Sequence, residues 1–398
     1  MIDTRKAQQH MINIKKKHDC SGCHACANIC PQKCIVMKAD EEGFLYPSVD
    51  LTKCVKCGLC QKVCHRHSPL KNHNQPEAYA CYVTNESVRM QSSSGGVFTF
   101  LAQEILNHGG AVFGAAFDED LTVKHICITE KRDLGIIRGS KYVQSRIGDT
   151  YASAKEMLQK GQPVFFTGTP CQIGGLKLYL GKEYDNLYTA DVICHGAPSP
   201  KVWKTYLDYM EAQFGSKISR CPTPLFRSKA TGWIEFSMHI HFDNNQEYCT
   251  PFGQDSYMDA FLHELILRPS CYHCDFKSLH RNSDITMADF WGVGLLAPDM
   301  FDNKGTSLVL INSSKGQKLF DCIKKTAIYK PVCLDTAIMY NQFAYKSADY
   351  PFKRKKFMDN VSSENFTILC QSCINKSFLE RVYHKAIRIL KRLGNAKN

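Results

Sequence analysis

The sequence predicts two kinds of folded unit, a small cysteine-rich α+β domain and, after it, a larger mixed α/β domain. Three observations lead to this fold class. Two cysteine runs of identical spacing lie in the first 64 residues, a polar segment with two prolines runs from Ser68 to Glu77, and short apolar strands then alternate with helical patterns. At 398 residues, with 44% apolar and 11% aromatic residues, the chain is long enough for two or three domains.

The two cysteine runs share the spacing Cys-x2-Cys-x2-Cys-x3-Cys. In two-cluster ferredoxins, the first three thiolates of such a run bind one 4Fe-4S cube and the fourth binds the other cube. Zinc needs only pairs of Cys-x2-Cys, so two complete runs exceed what zinc requires. The spacing therefore predicts two 4Fe-4S clusters with crossed ligands, the first bound by Cys20, Cys23, Cys26 and Cys64 and the second by Cys54, Cys57, Cys60 and Cys30. Cys34 is expected to be an ordinary small buried residue.

Composition narrows the compartment and the partners. The chain has 21 cysteines, no export signal and no apolar run near the roughly 18 residues of a membrane span, which predicts metal ligation in the reducing cytoplasm. The net charge of +12 is concentrated at the ends, with five Lys or Arg against two acids in residues 1–19 and eleven against three in residues 351–398. Because a nucleic-acid groove would place its basic residues in the folded body, no nucleic-acid partner is expected.

The small domain is assigned to residues 1–70, with a strand and turn at Gly43–Pro47 between the cysteine runs. The large domain begins with a strand over 78–84, followed by a Ser-rich, Gly-rich segment and a helix from Phe100 to Leu106. Glycines before a helix allow backbone N–H groups to approach a phosphate, and hydroxyls add donors. The candidate cofactor-binding residues here are Ser94, Gly95, Gly96 and Thr99; an ordinary capped helix is the alternative.

A buried strand over 109–117 and its partner over 122–129 come next, followed by a loop that places Lys141 beside Tyr142. This loop can hold a diphosphate or a flavin edge, and a surface turn explains it equally well. A helix over 151–160 and a strand over 163–167 lead into a turn at the carboxyl edge of the sheet, where α/β proteins place ligands. Thr167, Gly168 and Thr169 in this turn are further candidate cofactor-binding residues.

A further group of cysteines is scattered along the large domain. Cys171 and Cys194 follow two predicted parallel strands, and Cys271-x2-Cys274 supplies half a metal site. Because parallel strands end at one edge of a sheet, these four thiols are the candidate ligands of a third 4Fe-4S cluster. Zinc binding by the pair, or reduced structural thiols, are the alternatives that spacing leaves open.

Three weaker patterns receive no metal or nucleotide assignment. Gly292-x-Gly294-x-x-Ala297 matches a dinucleotide fingerprint, but Pro298 follows at once, so a turn is expected. Cys370-x2-Cys373 has no second pair and is interpreted as structural. The basic amphipathic pattern of Phe378–Leu393 predicts a helix that docks on its own domain or makes peripheral contact with an anionic membrane.

Several of these motifs together resemble the beta subunit family of coenzyme F-420 hydrogenases and dehydrogenases. The residues that carry the resemblance are Gly168-Thr169-Pro170-Cys171-Gln172, Cys194-His195-Gly196, Cys271-x2-Cys274 and Ser283-Asp284-Ile285-Thr286 with Asp289 and Gly292. The Ser94-Gly95-Gly96 and Lys141-Tyr142 segments look like the family's flavin-binding half. The likeness spans about residues 16–355 and implies FAD binding after residue 76, with a cluster on Cys171, Cys194, Cys271 and Cys274. His195-Gly196 departs from the polar, acidic context of the deazaflavin-reducing subunits.

With this resemblance, the expected domains are a two-cluster ferredoxin-like domain (1–70), a flavin-binding half (77–160), a C-terminal half with the third cluster (161–350) and a basic tail (351–398). The predicted function is a flavin-dependent iron-sulfur oxidoreductase, because flavin joins two-electron hydride chemistry to one-electron clusters. His195 is the candidate proton donor. The expected partners are an external ferredoxin or redox subunit and a small hydride donor or acceptor. The alternative is a non-catalytic subunit that transfers electrons to a partner enzyme.

Overall fold

The structure is a computed structural model that describes residues 11–374. The predicted basic helix over Phe378–Leu393 lies outside the described residues. No helix within residues 11–374 is both long and apolar enough to cross a bilayer. The location in the cytoplasm stays a prediction.

Thirteen strands are found in the described part of the chain. They are β1 Ile35–Ala39, β2 Leu45–Val49, β3 Glu77–Val83, β4 Ala111–Phe117, β5 Val123–Ile128, β6 Val164–Gly168, β7 Leu187–Val192, β8 Leu225–Ser228, β9 Ser237–His241, β10 Glu247–Pro251, β11 Ile285–Asp289, β12 Ser307–Ile311 and β13 Ala327–Val332.

Fourteen α-helices accompany them within the same residues. They are α1 Ala25–Asn28, α2 Leu59–Lys62, α3 Glu86–Met90, α4 Val97–Asn107, α5 Leu134–Ile137, α6 Thr150–Gln159, α7 Pro170–Leu180, α8 Pro200–Phe214, α9 Ser256–Leu262, α10 Val293–Leu296, α11 Ser314–Ile323, α12 Leu334–Ile338, α13 Arg354–Asn360 and α14 Phe366–Cys373.

A mixed eight-stranded sheet forms the centre of the large domain, in the order β13-β3-β12-β11-β7-β6-β4-β5. The neighbours β4, β6, β7 and β11 are parallel to one another, and the outer pairs are antiparallel. Every residue of β12 is buried, as its Ser-Leu-Val-Leu-Ile sequence requires of a strand covered on both faces. Strands from 77–160 and from 161–350 alternate in this sheet, so the two segments share one core.

Helices cover both faces of the sheet. Residues of α4 and α11 pack on one face around Phe165 and Val309, while α6 and α7 pack on the other around Phe166. Helix α7 begins at a capping box, in which the Thr169 side chain accepts from the N3 backbone and the Gln172 side chain accepts from the Thr169 N–H. The predicted mixed α/β architecture is confirmed.

A second sheet, β10-β9-β8, is antiparallel and lies beside the large one. Its buried face packs with α8 and α9 around Trp203, Phe226 and Tyr257. Helices α13 and α14 join this cluster through Phe357 and Phe366. Residues 354–373 are therefore part of the folded body, although the sequence placed them in a basic tail.

The small domain consists of the β1-β2 hairpin, α1 and α2, as predicted for the first 70 residues. It packs on the sheet face that carries α6 and α7, since Ala25 and Val63 lie in the same apolar cluster as Tyr151 and Leu176. The dinucleotide-like segment at Gly292 differs from the expected turn. It forms the single helical turn α10, which ends at Leu296, two residues before Pro298.

Candidate functional site

The first thiol group is a recess where the two cysteine runs meet. Cys20, Cys23, Cys26 and Cys64 line it, with an enclosed space of about 330 Å³ and an apolar wall that includes Ile12 and Val63. Helix α1 starts here from His24, whose left-handed backbone (φ 63°) turns the chain between Cys23 and Cys26. Burial raises the pKa of Cys23 to about 11. The fourth cysteine of the second run thus lies with three of the first, as the crossed pairing predicts.

The second thiol group is the matching recess of about 340 Å³, lined by Cys30, Cys54, Cys57 and Cys60. The Ile12 N–H donates to Cys60 Sγ at 3.2 Å. Cys34 also lines this recess, and its buried sulfur lies 3.4 Å from Cys30 Sγ. Cys57 is solvent-exposed.

Both recesses fit a 4Fe-4S cluster better than a single zinc ion. A tetrahedral zinc site with Zn–S bonds of about 2.3 Å needs sulfurs roughly 4 Å apart. Within residues 11–374, no three of the cysteine sulfurs lie within 4.8 Å of one another. Thiol donors at wider spacing, in an apolar wall, are the ligand set that an iron-sulfur cube takes. The ligand roles of the individual cysteines stay predictions.

The third thiol group contains Cys171, Cys194, Cys271 and Cys274. Cys171 is the second residue of α7, Cys194 follows β7, and the other two lie in and directly after the 3-10 helix Pro269–His273. The thiols are close enough that negative charge on Cys274 raises the pKa of the other three, in addition to burial. Burial brings the pKa of Cys194 and of Cys271 to about 12. The parallel-strand argument thus predicted the convergence of four distant cysteines.

Two cations beside this group were missed by the sequence analysis. Lys277 Nζ donates to the carbonyl oxygens of Cys194 and, at 2.8 Å, of Phe343. Arg281 is 2% exposed, and its Nε and Nη2 have no hydrogen-bond partner in the described part of the chain. Both cations lower the pKa of Cys194 and Cys274 against the effect of burial. Positive charge with free donors is what an anionic thiolate-bound cluster requires of its surroundings, so these residues fit a third cluster, which stays a prediction.

His195, the candidate proton donor, adjoins the same group. Its ring stacks on Phe343 at 3.9 Å between centroids, and its Nε2 lies 3.4 Å from Glu264 Oε1. Burial lowers its pKa, and Glu264 opposes that effect. The structure therefore places a neutral, stacked imidazole here, and the role in proton transfer is untested.

The first recess and the third thiol group are in direct contact through α7. A Cβ built on Gly175 would lie 3.0 Å from Cys23 Sγ, so the helix that carries Cys171 touches the first recess. Charge on Cys23 raises the pKa of Cys171. The second recess lies on the far side of the small domain, at the exposed Cys57.

Ion pairs and buried arginines hold the small domain in this position. Arg66 donates to Asp275 (2.8 Å) and Asp19 (2.7 Å). Arg268 is fully buried and donates to the carbonyl oxygens of Cys20 (2.7 Å) and Leu45 (2.9 Å).

The predicted phosphate-binding segment forms the N-terminus of α4. Gly96 caps the helix with a left-handed backbone (φ 84°), and a Cβ on Gly95 would lie 2.4 Å from Cys81 O. The hydroxyl oxygen of Ser94 is buried without a hydrogen-bond partner within residues 11–374. Thr99 Oγ1 accepts from Arg138 Nε at 3.1 Å. An unpaired hydroxyl at a positive helix end is compatible with a bound phosphate.

The loop with Lys141 lies on the other side of this helix end. Lys141 Nζ donates to the carbonyls of Arg138 (3.0 Å) and Gly139 (3.4 Å), and loss of hydration lowers its pKa to about 7. The Ser140 N–H donates to Ser93 Oγ at 2.8 Å, which joins the loop to the serine segment.

The turn after β6 connects this region to the third thiol group. Thr167 O accepts from His125 Nε2 at 2.9 Å, and His125 feels the charge of Lys141. Thr169 Oγ1 lies 3.2 Å from Cys171 Sγ. Gly168 packs on Gln172. The three predicted residues thus lie between Lys141 and Cys171.

Two further buried cations at this region were not predicted. Lys229 donates to the carbonyls of Arg89 and Ser94 at 2.7 Å each, and burial lowers its pKa to about 7. Arg227 forms a two-point ion pair with Asp289 and donates to Tyr142 OH at 3.1 Å. An Arg-Ser-Lys strand has no local pattern that marks it, so these contacts required the tertiary structure.

Comparisons with known proteins place two segments of the chain. Residues 161–331 match the family described as the C terminus of the coenzyme F420 hydrogenase/dehydrogenase beta chain, and residues 19–67 match the 4Fe-4S dicluster domain. Over 61 residues the chain is 36% identical to NADH-quinone oxidoreductase subunit I 2 of Geobacter metallireducens, a match that covers 14% of this chain and 47% of that protein. The chain thus spans about half the length of this curated relative.

A solved structure is also similar. A chain of the F420-reducing [NiFe] hydrogenase complex from Methanosarcina barkeri aligns with a TM-score of 0.45 and 17% identity, over 73% of this chain and 91% of that chain. The dicluster match supports the two 4Fe-4S clusters of the small domain.

Proposed function

Because residues 161–331 belong to the coenzyme F420 hydrogenase/dehydrogenase beta-subunit family and residues 19–67 form a 4Fe-4S dicluster domain, we propose that this iron-sulfur protein is a flavin-dependent oxidoreductase. It exchanges electrons between a small hydride donor or acceptor and an external one-electron carrier. When bound, FAD supplies two-electron hydride chemistry and each 4Fe-4S cluster supplies one-electron steps.

One observation carries the proposal: the thiol groups and the buried cations form a continuous series. The second recess adjoins the first, Gly175 joins the first to the helix of Cys171, and Thr169 and His125 connect Cys171 to Lys141. An isolated dicluster domain would not need a third thiol group with its own cations behind it. The series is therefore what a protein needs that joins a cofactor pocket to a surface-exposed cluster.

Lys141, Lys229, Ser94 and the N-terminus of α4 are the residues that would hold the flavin diphosphate. Two lysines whose pKa values burial lowers to about 7 regain a favourable environment when an anion lies beside them. The unpaired Ser94 hydroxyl supplies a donor. Cys171, Cys194, Cys271 and Cys274 would hold the third cluster, with Lys277 and Arg281 offsetting its negative charge.

The test is anaerobic reconstitution with iron, sulfide and FAD, followed by extraction and quantification of the flavin. About one FAD per chain is expected, and Lys141→Gln should bind it at least tenfold more weakly by loss of one phosphate contact. Lys124→Gln is the matched control, because Lys124 is a partly exposed lysine paired with Asp118 at 2.8 Å. If the wild-type protein binds no flavin, the chain is the non-catalytic electron-transfer subunit. Addition of a deazaflavin, a nicotinamide or small metabolites then identifies the molecule that reduces the bound flavin.

The external carrier is proposed to approach the second recess. Around the exposed Cys57 lie the exposed side chains of Lys53, Lys56, Val55 (62%) and Leu51 (65%). Positive charge around an apolar centre suits a small acidic carrier of the ferredoxin class.

Charge reversal tests this approach. Lys56→Glu should slow electron exchange with an acidic ferredoxin several-fold at low salt and lose this effect at high salt. Lys318→Glu is the control, since Lys318 is exposed on α11, on the sheet face opposite the small domain. Equal effects of the two reversals would contradict the assignment.

A further inference from the structure

The β9–β10 hairpin carries a group of ligand-type side chains remote in sequence from the cluster cysteines. His239 Nε2 lies 3.1 Å from Glu247 Oε2, and His241 Nδ1 lies 3.3 Å from Glu247 Oε1. The two imidazole centroids are 4.3 Å apart. Among residues 11–374, this is the one group of three His, Cys, Asp or Glu side chains whose ligand atoms all lie within 4.8 Å of one another.

The strand register explains why these side chains meet. Met238 and Ile240 are fully buried in the core, so the alternation of the strand places His239 and His241 on the outer face. Glu247 is paired with His241 across the hairpin. Directly paired residues in an antiparallel ladder point to the same face.

The same register adds a thiol to the outer face. Cys249 is paired with His239 and is solvent-exposed, as Glu247 is. The outer face of the hairpin therefore presents two imidazoles, a carboxylate and a thiol as two directly opposed pairs. None of these four residues belongs to the three thiol groups described above.

The hairpin turn keeps the two strands in this register. Phe242 N–H donates to Gln246 O at 2.9 Å, and Asn245 takes the left-handed backbone (φ 65°) that the turn requires. Asn244 Oδ1 accepts from the Gln246 N–H at 3.1 Å. A rigid turn lowers the entropy cost of bringing the ligands together.

We propose that His239, His241, Glu247 and Cys249 form a binding site for a divalent transition-metal ion of the zinc class. Two imidazole nitrogens with a carboxylate and a thiolate form a mixed set of donors that tetrahedral zinc accepts. Binding releases the Cys249 proton to solvent and leaves the metal in its divalent state, so no oxidant or reductant is needed. The site ties β9 to β10 independently of the redox centres.

The probe is zinc added to anaerobic holoprotein whose iron-sulfur clusters are loaded, so that the cluster thiols are occupied. We expect one zinc per chain, with a zinc K-edge absorption spectrum that contains nitrogen or oxygen neighbours at about 2.0–2.1 Å and one sulfur at about 2.3 Å. His239→Gln and Glu247→Gln should each weaken zinc binding at least tenfold, on the order of 1.4 kcal/mol or more. Cys249→Ser should retain zinc and remove the sulfur neighbour.

His108→Gln is the matched control, because His108 is also an exposed histidine beside a glutamate, with Nδ1 3.6 Å from Glu104 Oε1. It should leave the zinc stoichiometry and affinity unchanged. Far-ultraviolet circular dichroism of each variant establishes that it is folded. Three results would overturn the proposal: no zinc uptake by the wild-type holoprotein, zinc surrounded by sulfur alone, or zinc affinity that His239→Gln leaves unchanged.

Discussion

Replacement of Gly175 by alanine tests the contact between the small domain and helix α7. The added Cβ would lie 2.9 Å from Cys23 Cβ, 3.0 Å from Cys23 Sγ and 3.0 Å from Tyr151 OH. Carbon atoms in contact are usually about 3.5–4.0 Å apart, so one neighbour must move by roughly 0.5–1 Å. Tyr151 is fully buried and its hydroxyl donates to Gln172 O at 2.7 Å, so it has little freedom to move.

Overpacking of this kind costs about 1–3 kcal/mol, while glycine to alanine in a helix gains about 0.5–1 kcal/mol. The net expectation for Gly175→Ala is a loss of about 1–2 kcal/mol in the free energy of unfolding. Gly135 in α5 is the control, because a Cβ there would meet no atom within 4 Å. Gly135→Ala should therefore be neutral or stabilising, so the two alanine substitutions differ in sign.

The assay is urea denaturation of the reconstituted protein under anaerobic conditions, together with the rate at which a ferrous chelator removes iron from the folded protein. Gly175→Ala should unfold at lower urea and release the iron of one cluster faster, because Cys23 is displaced. A Gly175→Ala protein as stable as Gly135→Ala, with iron release like that of the wild type, would refute the close contact between α7 and the first recess.

Three further predictions concern titration, cluster ligation and domain docking. Burial lowers the pKa of His125 to about 4 from 6.5, so the unfolded state binds more protons as pH falls; stability should drop by about 1 kcal/mol between pH 7.5 and 5.5, and His125→Gln should remove that part of the pH dependence in urea titrations. Cys30→Ser should lower the iron and acid-labile sulfide content towards that of a single cluster in the small domain, whereas Cys34→Ser should leave both at the wild-type level; equal losses would make Cys34 a ligand. Arg354→Met should destabilise the protein by about 3–5 kcal/mol in denaturant titrations, since Arg354 is 3% exposed and its two-point pair with Glu42 (2.8 and 2.6 Å) leaves a poorly solvated carboxylate behind; a change below 1 kcal/mol would show that this pair does not stabilise the domain contact.

The features that the sequence predicted best are those whose partners are close in the chain or follow from strand geometry. The cysteine spacing determines both recesses, because a run of Cys-x2-Cys leaves little freedom in where the sulfurs lie. Cys171 and Cys194 were predicted to converge because each follows a strand of the parallel part of the sheet, and β6 and β7 are indeed neighbours. The two-strand pairing of 109–117 with 122–129 was confirmed for the same local reason.

The features that the sequence did not predict depend on contacts between distant segments. Arg354 and Glu42 are 312 residues apart, and Arg227 and Asp289 are 62 apart. Burial of an arginine is decided by what packs over it, which periodicity does not contain. The His239-x-His241 alternation is visible in the sequence, but the position of Glu247 opposite His241 depends on the length and type of the turn between β9 and β10.

The same long-range contacts decide which cluster site faces the third thiol group. Arg268 reaches the carbonyls of Cys20 and Leu45 from a fully buried position, and Arg66 reaches Asp275 from the small domain. Because each pairing has one geometry and a buried arginine without its partners is costly, the small domain can dock in one orientation only at low free energy. That orientation puts Cys23 against Gly175 and leaves Cys57 at the surface. The order of the thiol groups therefore follows from buried arginine contacts, since the cysteine spacing alone is the same in both runs.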